Sequence, residues 1–445
     1  MTVAFDPVRY GCDALSPEVT VDATVPNWRF SVRGDAALWA ELSRWYADAA
    51  SCERLKRTPL PTGELVEFTF GWEQGGVAHA THQAHFVEVT DGRSTRDQVW
   101  CGDAGRRRCW PRWPRPQMPP PEAVSCLADL LMAASSRQPW VPEDTKSGAR
   151  FERVVIDGER YVLKYQDPRD DWLLRATGDP GERYVRLWET GLLGRMPDVI
   201  DPAVVAAGFD GVVGMVLLRD VTAQLLPPGR PFSTEQHTRF LDHMAAMHAA
   251  FWDWRDEVGL TPLAVRYLAF SPAVATAEAA RGSGAVVPKV MAEGWERLPE
   301  VSNGLAESVL PLLNDPAPLV AALRAVPHTL VHGDWKAANL GSHADRRTVL
   351  LDFGEVPGEA SPIADLSWYL ALNTDLLPET KDETIATYRD ALQRHGIDTA
   401  DWWDTTVALE LLGAMVQFGW EKALGGPGPE LAWWEAWAAE GSRRL

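Results

Sequence analysis

Residues 104–121, AGRRRCWPRWPRPQMPPP, combine six prolines with a basic run. Proline lacks a backbone N–H and fixes φ, so neither a helix nor an internal strand tolerates this composition. The segment therefore predicts a linker. A chain of 445 residues is long enough for two or three domains, and we expect one domain at 1–103 and another after residue 121.

The stretch before the linker has the pattern of a helix followed by paired strands. DAALWAELSRWYADA, residues 35–49, carries apolar residues at helical spacing. Residues 64–101 alternate apolar with polar side chains and include an Asp91-Gly92 turn, which predicts antiparallel strands joined by hairpins. One or two helices followed by a long curved sheet predict an α+β cone.

The segment GWEQGGVAHATHQAHFVEVTDGRSTRDQVWCG is similar to the SnoaL-like and ketosteroid-isomerase-like family, over about residues 25–103. That resemblance implies a sheet wrapped around a pocket. His79, His85 and Asp97 are bases that an isomerase or cyclase site could use, but no acid–base pair follows from the sequence. We therefore expect a binding role, or a role in forming oligomers.

The stretch after the linker changes from strands to helices. DTKSGARFERVVIDGERYVLKYQ predicts two strands around the Asp157-Gly158 turn, and VVGMVLLRDV predicts a buried strand. From about residue 233 the pattern is mostly helical. We expect an α+β domain of two lobes, with a small sheet lobe at 122–222 and a helical lobe at 223–445.

The most specific motif is VHGDWKAANLGSHADRRTVLLDFGE, residues 331–355. Asp334 and Asn339 form a D-x-x-x-x-N unit, and Asp352 ends an apolar strand. Phosphoryl transfer from a nucleotide requires a carboxylate that deprotonates the attacking hydroxyl, and oxygen ligands for Mg²⁺. The pattern predicts Asp334 as the general base. It predicts Asn339 and Asp352 as metal ligands, although each residue alone could be a turn, cap or strand-end residue.

Lys336 follows the proposed base by two residues. Its ammonium is placed to reach the phosphoryl group during transfer, so we expect it to act with Asp334 in catalysis.

HGDWKAANL and LLDFGE, with SPIADLSWYLALN, FLDHMAAMHAAFW and GMVLLRDV, resemble the aminoglycoside phosphotransferase family, within the protein-kinase-like fold. The resemblance covers about residues 122–440. It implies that Asp365 buttresses the catalytic loop and that Lys164 holds the α- and β-phosphates. It also implies an ion pair between Lys164 and the following helix, through Glu182 or its competitor Glu189.

The same resemblance implies where the nucleotide, ATP or GTP, is bound. The loop before Lys164, DTKSGARFE, has a single glycine, so Ser147 and Gly148 offer phosphates less backbone contact than a multi-glycine loop does. Adenine is expected to meet the backbone near Leu218 and Asp220.

A polar stripe follows the helix pattern of DTTVALELLGAMVQFGWEKALGG. The acidic and amide residues recur at helical spacing, with a tryptophan near the end, which predicts acceptor-binding residues at Glu410, Gln417, Trp420 and Glu421. A stripe that faces solvent explains the same spacing equally well.

Composition limits the class of partner. The net charge of −19 disfavours nucleic acid and anionic membranes and suits a cationic ligand. The five cysteines are odd in number and lie in the first third of the chain, which fits reduced thiols. With no apolar run near the ~20 residues that span a bilayer, and no signal-peptide pattern, we expect a cytoplasmic protein.

These patterns predict an enzyme that uses ATP and Mg²⁺ to phosphorylate a hydroxyl of an amino sugar, an aminoglycoside or a related cationic polyol. The alternative is a kinase-shaped module that binds a ligand or regulates a partner without turnover.

Overall fold

A computed structural model of the chain describes residues 14–25, 28–34, 49–60, 62–74, 77–90, 93–101, 105–106, 127–142 and 146–445. The chain divides into two compact units, Met1–Glu122 and Ala123–Leu445. The finer predicted boundaries, with the linker at 104–121 and the lobe boundary at 222, stay predictions.

The first unit contains one mixed sheet. Its strands lie in the order β2-β1-β6-β5-β4-β3, with β7 paired to β5. The β1–β6 pair is parallel and the other pairs are antiparallel. The strands are β1 (Ala14–Val25), β2 (Trp28–Arg33), β3 (Ala49–Leu60), β4 (Gly63–Gln74), β5 (Val77–Thr90), β6 (Arg93–Cys101) and β7 (Gly105–Arg106).

The predicted antiparallel strands are confirmed by the β4–β5 and β5–β6 pairs. The strands β1 and β2 were not predicted; β1 pairs in parallel with β6, which is far away in sequence, and antiparallel with its neighbour β2. The predicted helix at 35–49 lies outside the described residues except for its last residue, which begins β3, and the Asp91-Gly92 turn also lies outside them.

Two further expectations concern this sheet. Within the segment predicted as a linker, residues 105–106 form β7 and pair with Ala80 and His79 of β5, and most of the remaining segment lies outside the described residues. On neighbouring strands, His85 Nδ1 lies 2.9 Å from Asp97 Oδ2, and both side chains are buried. The His85–Asp97 pair therefore lies on a buried face of the sheet.

The second unit begins with a five-stranded antiparallel sheet in the order β12-β13-β10-β9-β8. The predicted hairpin is confirmed, and its turn residues Asp157 and Gly158 both have positive φ, at 51° and 83°. The elements are α1 (Leu127–Met132), β8 (Ser136–Trp140), β9 (Phe151–Ile156), β10 (Glu159–Gln166), α2 (Trp172–Ala176), α3 (Arg183–Glu189), β11 (Ile200–Asp201), β12 (Val204–Phe209) and β13 (Gly214–Arg219).

The rest of the second unit is mostly helical, as predicted, with short strands around the site. The helices are α4 (Thr234–Ala250), α5 (Leu263–Leu268), α6 (Pro272–Ala280), α7 (Val286–Val301), α8 (Asn303–Asn314), α9 (Ala317–Leu323), α10 (Ile363–Leu372), α11 (Lys381–Arg394), α12 (Trp403–Gly425) and α13 (Pro429–Ser442). The strands are β14 (Thr329–Val331), β15 (Leu340–Ser342), β16 (Thr348–Leu350) and β17 (Gly358–Ala360).

Helix α12 lies at the centre of the helical part. It packs against α7, α8, α10 and α13, and nearly all of its side chains are buried. The second unit therefore has the predicted α+β class, with a small sheet followed by helices. Within the part of the chain that the structure describes, no helix is both long enough and apolar enough to cross a membrane.

Candidate active site

The loop after β14 is held by one carboxylate. The backbone N–H groups of His332 and Gly333 each donate to Asp365 at 2.7 Å. Gly333 has a φ of 86°, and a Cβ there would lie 2.2 Å from the backbone oxygen of Val356, so only glycine fits. The loop therefore presents the next residue, Asp334, in a defined position.

The carboxylate of Asp334 accepts three side-chain hydrogen bonds. Lys336 Nζ and Asn339 Nδ2 each donate to Oδ2 at 2.7 Å, and Trp368 Nε1 donates to Oδ1 at 3.0 Å. Asp334 is only 2% exposed. Burial acts to lower the pKa of Lys336, but the adjacent Asp334, together with the charges of Glu355 and Asp352, raises that pKa above its ordinary value. The structure thus brings Asp334, Lys336 and Asn339 together.

A hairpin brings Asn339 next to Asp352. Strands β15 and β16 pair antiparallel, and the N–H of Leu351 donates to the backbone oxygen of Asn339 at 2.9 Å. Asp352 has a φ of 69°, a strained conformation for a residue other than glycine. Strain of this kind clusters at functional sites because the surrounding structure must hold it in place.

The hairpin packs on α4 through a histidine. His243 Nδ1 lies 2.7 Å from the hydroxyl of Thr348 on β16. Burial lowers the pKa of His243 from 6.5 to about 4. The folded protein therefore keeps this ring neutral at a pH where the unfolded chain protonates it.

We expect His243 to make the fold sensitive to acid. Its contribution to stability is complete above the unfolded pKa of 6.5 and is lost as the pH falls toward the folded value of about 4. At about pH 5 this loss is about 1–2 kcal/mol. A His243→Gln variant, which cannot titrate, should show a smaller fall in melting temperature between about pH 7 and about pH 5. Equal falls in variant and parent would contradict the assignment.

Lys164 on β10 contacts two acidic residues after β16. Its ammonium donates to Asp352 Oδ1 and, at 3.1 Å, to Glu355 Oε1. Burial acts to lower the pKa of Lys164, but Asp352 and Glu355 together raise it. Burial acts to raise the pKa of Asp352, but the charge of Lys164 lowers that pKa below its ordinary value. For Glu355, burial and the charge of Asp352 both raise the pKa. The ammonium of Lys164 therefore stabilises the charged form of Asp352.

The expected ion pair between Lys164 and Glu182 does not form, since Lys164 contacts Asp352 and Glu355. Helix α3 begins at Arg183, so Glu182 sits at its amino terminus, partly exposed and 3.7 Å from Arg186. The competitor Glu189 is exposed at the other end of the helix. The helix instead turns Arg183 inward, where its guanidinium donates to the backbone oxygen of Glu355 at 2.8 Å.

Glu355 is therefore a site residue that the sequence analysis missed. The only signal was its place directly after the Asp352-Phe-Gly sequence. Gly354 allows α3 to pack closely against the segment that carries Glu355, because a Cβ at Gly354 would lie 2.8 Å from the ring of Tyr184 on α3.

The predicted nucleotide loop lies against the start of α2. The N–H of Trp172 donates to the backbone oxygen of Ser147 at 3.0 Å. Gly148 has a φ of 96°, and a Cβ there would lie 2.6 Å from the backbone oxygen of Asp170. Asp171 is buried and contributes a further negative charge near Lys164. The loop is thus anchored close to the strand lysine.

The residues whose backbone is expected to meet adenine lie on or just after β13. Leu218 pairs with Val162 of β10, so it shares a sheet face with Lys164, two residues further along. The carboxylate of Asp220 accepts hydrogen bonds from the N–H and hydroxyl of Thr222. Leu218 is thereby on the same side of the sheet as the lysine, while the side chain of Asp220 is committed to a turn.

The predicted acceptor stripe does not form one open polar face. Glu410 is buried and accepts hydrogen bonds of 2.6 Å from Tyr267 and Ser361. Gln417 is buried and donates to the backbone oxygen of Arg266. The remaining two members differ in exposure, since Trp420 is buried and donates to the backbone oxygen of Gln417, whereas Glu421 is partly exposed and pairs with Lys422.

The oxygens of Asn339 and Asp352 fit a hard divalent cation. Because Asn339 turns its NH₂ group toward Asp334, its amide oxygen is the atom that can face a metal. Among the described residues no group of three or more His, Cys, Asp or Glu side chains could hold a metal ion. Two protein oxygens, completed by phosphate and water, match the way Mg²⁺ binds in nucleotide sites.

Neither protein-family models nor curated proteins match the chain. Solved structures give low-scoring matches. The GDP complex of aminoglycoside 2'-phosphotransferase-IIIa is 15% identical with a TM-score of 0.39, covering 70% of this chain and 94% of that chain. Aminoglycoside-3'-phosphotransferase of type VIII is 21% identical with a TM-score of 0.34, covering 64% and 93%. Because both TM-scores are below 0.5, these likenesses do not assign the chain to a family.

Proposed function

We propose that the chain is a small-molecule kinase that transfers a phosphoryl group from a nucleoside triphosphate to a hydroxyl group. The observation that carries the proposal is one connected cluster, buried except for the partly exposed Asp352. Asp334 contacts Asn339, Asn339 meets the residue before Asp352 across the hairpin, and Asp352 contacts Lys164. A carboxylate base, two oxygen ligands and a strand lysine are the parts that phosphoryl transfer requires.

Each residue has a distinct task in this proposal. Asp334 accepts the proton of the attacking hydroxyl, and Asn339 and Asp352 offer oxygen atoms to Mg²⁺. Mg²⁺, when bound, neutralises charge on the phosphates. Lys164 and Lys336 offer ammonium groups to phosphate oxygens. Asp365 holds the loop that carries Asp334, through the two backbone N–H groups that precede it.

The proposed acceptor is an amino sugar, an aminoglycoside or a related cationic polyol. Two features support this class: the resemblance of HGDWKAANL and LLDFGE to aminoglycoside phosphotransferases, and a net charge of −19, which favours cationic ligands. Because Glu410 and Gln417 are satisfied by protein partners, other residues must recognise most of the acceptor.

The test has two stages. Calorimetry with ATP and with GTP, each at saturating Mg²⁺, should show binding of at least one nucleotide by the full-length protein. Release of nucleoside diphosphate should then rise above the rate without acceptor for one or more members of a panel of amino sugars, aminoglycosides and amino alcohols. Binding of neither nucleotide would refute the proposal. Binding without release across the panel would favour a ligand-binding module.

A further inference from the structure

We propose that Trp368 is a positioning residue for Asp334, and that it leaves one acceptor position, on Oδ1, to meet the hydroxyl that is phosphorylated. The inference rests on the proposed function. It names the oxygen of the base that takes the proton and the side of the carboxylate from which the acceptor approaches.

The hydrogen bonds of Asp334 define the open position. A carboxylate offers about four lone-pair positions, two on each oxygen. Oδ2 accepts from both Lys336 and Asn339, whereas Oδ1 accepts from Trp368 alone. The remaining position is therefore on Oδ1, beside the indole N–H.

Packing fixes the indole ring. Trp368 and Asp365 lie three residues apart on α10, so they share one face of this helix. From that face, Asp365 accepts a hydrogen bond from the loop backbone and Trp368 donates one to Asp334. The ring of Trp368 stacks edge-on against Phe418 at 4.7 Å and Phe270 at 5.7 Å, and the guanidinium of Arg266 lies 5.3 Å from its centre. The N–H is thus aimed at Asp334 by the core.

The chemical step uses this arrangement directly. The acceptor O–H bond breaks and its proton moves to Oδ1. A bond forms between the acceptor oxygen and the γ-phosphorus, and the bond from that phosphorus to the bridging oxygen breaks, which releases nucleoside diphosphate. A donor fixed on Oδ1 prevents rotation of the carboxylate, so its loss should lower kcat more than it changes the KM for nucleotide.

The principal variant is Trp368→Phe, which removes the N–H and keeps an aromatic ring. We expect kcat to fall by about 10- to 100-fold, as for loss of a hydrogen bond to a charged group, with the KM for nucleotide changed less than about twofold. The matched control is Trp434→Phe, because Trp434 is also buried and donates its Nε1–H to a carboxylate, that of Glu430. The control should keep the parental kcat.

Two further measurements separate positioning from packing. In an Asp334→Ala background, adding Trp368→Phe should lower the residual rate by less than about twofold, because the shared contact is already gone. Replacing Trp368 with 3-benzothienylalanine, in which sulfur takes the place of the N–H, keeps the shape of the ring. This replacement should reproduce the kcat loss without loss of melting temperature.

A direct readout of the contact does not depend on activity. The indole N–H resonance of Trp368, identified by its absence in Trp368→Phe, should shift in Asp334→Ala while that of Trp434 stays in place. A resonance that does not move, or parental kcat in both Trp368 replacements, would overturn the inference. A resonance that moves in a protein that binds no nucleotide would support the contact and refute only the proposed function.

Discussion

Replacing Asp334 with alanine is expected to lower turnover by about 10²- to 10⁴-fold, the range for loss of general-base catalysis. Nucleotide binding should be largely kept, because the Lys164–Asp352 contact does not involve Asp334. Alanine is a better choice than asparagine, whose NH₂ group would face the donors of Lys336 and Asn339 or that of Trp368.

The measurement is steady-state release of nucleoside diphosphate with a responsive acceptor, together with calorimetry of nucleotide binding. Asp345→Ala is the matched control, since Asp345 is an exposed aspartate paired with Arg347 in the turn of the β15–β16 hairpin. It should behave as the parent does. An Asp334→Ala variant with the parental rate would show that another group accepts the proton.

Replacing Asp352 with asparagine is expected to weaken Mg²⁺-dependent nucleotide binding by at least about 30-fold, or about 2 kcal/mol, because a partly buried charge that contacts Lys164 and is proposed to bind Mg²⁺ is lost. Asparagine tolerates the positive φ of 69° at this position, so the substitution removes the charge without adding backbone strain. Alanine at this position would remove the charge and add backbone strain at the same time, so the two effects could not be separated.

Asp157→Asn provides the control, because Asp157 is also an aspartate with positive φ but lies in the exposed β9–β10 turn. Calorimetry with and without Mg²⁺ checks the prediction. The control should bind nucleotide as the parent does. Parental binding by Asp352→Asn at all Mg²⁺ concentrations would remove Asp352 from the metal site and, with it, the basis of the proposed function.

The predictions that the structure supports are those that depend on local sequence. The D-x-x-x-x-N spacing and the apolar strand before Asp352 place three side chains within one loop and one hairpin, so their proximity follows from short-range geometry. The Asp157-Gly158 turn is local in the same sense, since both residues tolerate positive φ.

The partner of Lys164 could not be predicted because it depends on how α3 docks. A resemblance places a carboxylate on that helix, but α3 starts one residue after Glu182 and turns Arg183 inward. The carboxylates that meet Lys164 come from Asp352 and Glu355, nearly two hundred positions away in the sequence. Only the packed structure brings them together.

The stripe on α12 shows a limit of helical periodicity. Regular spacing indicates that polar residues share a face, but it does not show whether that face meets solvent or other helices. Here α12 is surrounded, and the buried Glu410 receives hydroxyl donors from Tyr267 and Ser361. A buried polar group with partners of its own is a stable outcome that the pattern cannot distinguish from a binding surface.

The hydrogen bonds between α10 and residues 332–334 have a consequence for protein engineering. Grafting HGDWKAANL alone onto another scaffold would transplant the base without Asp365 and Trp368, which hold its backbone and its Oδ1 atom. The smallest transferable unit is therefore discontinuous: the recipient scaffold must receive the loop and the helix as a pair, at their native spacing.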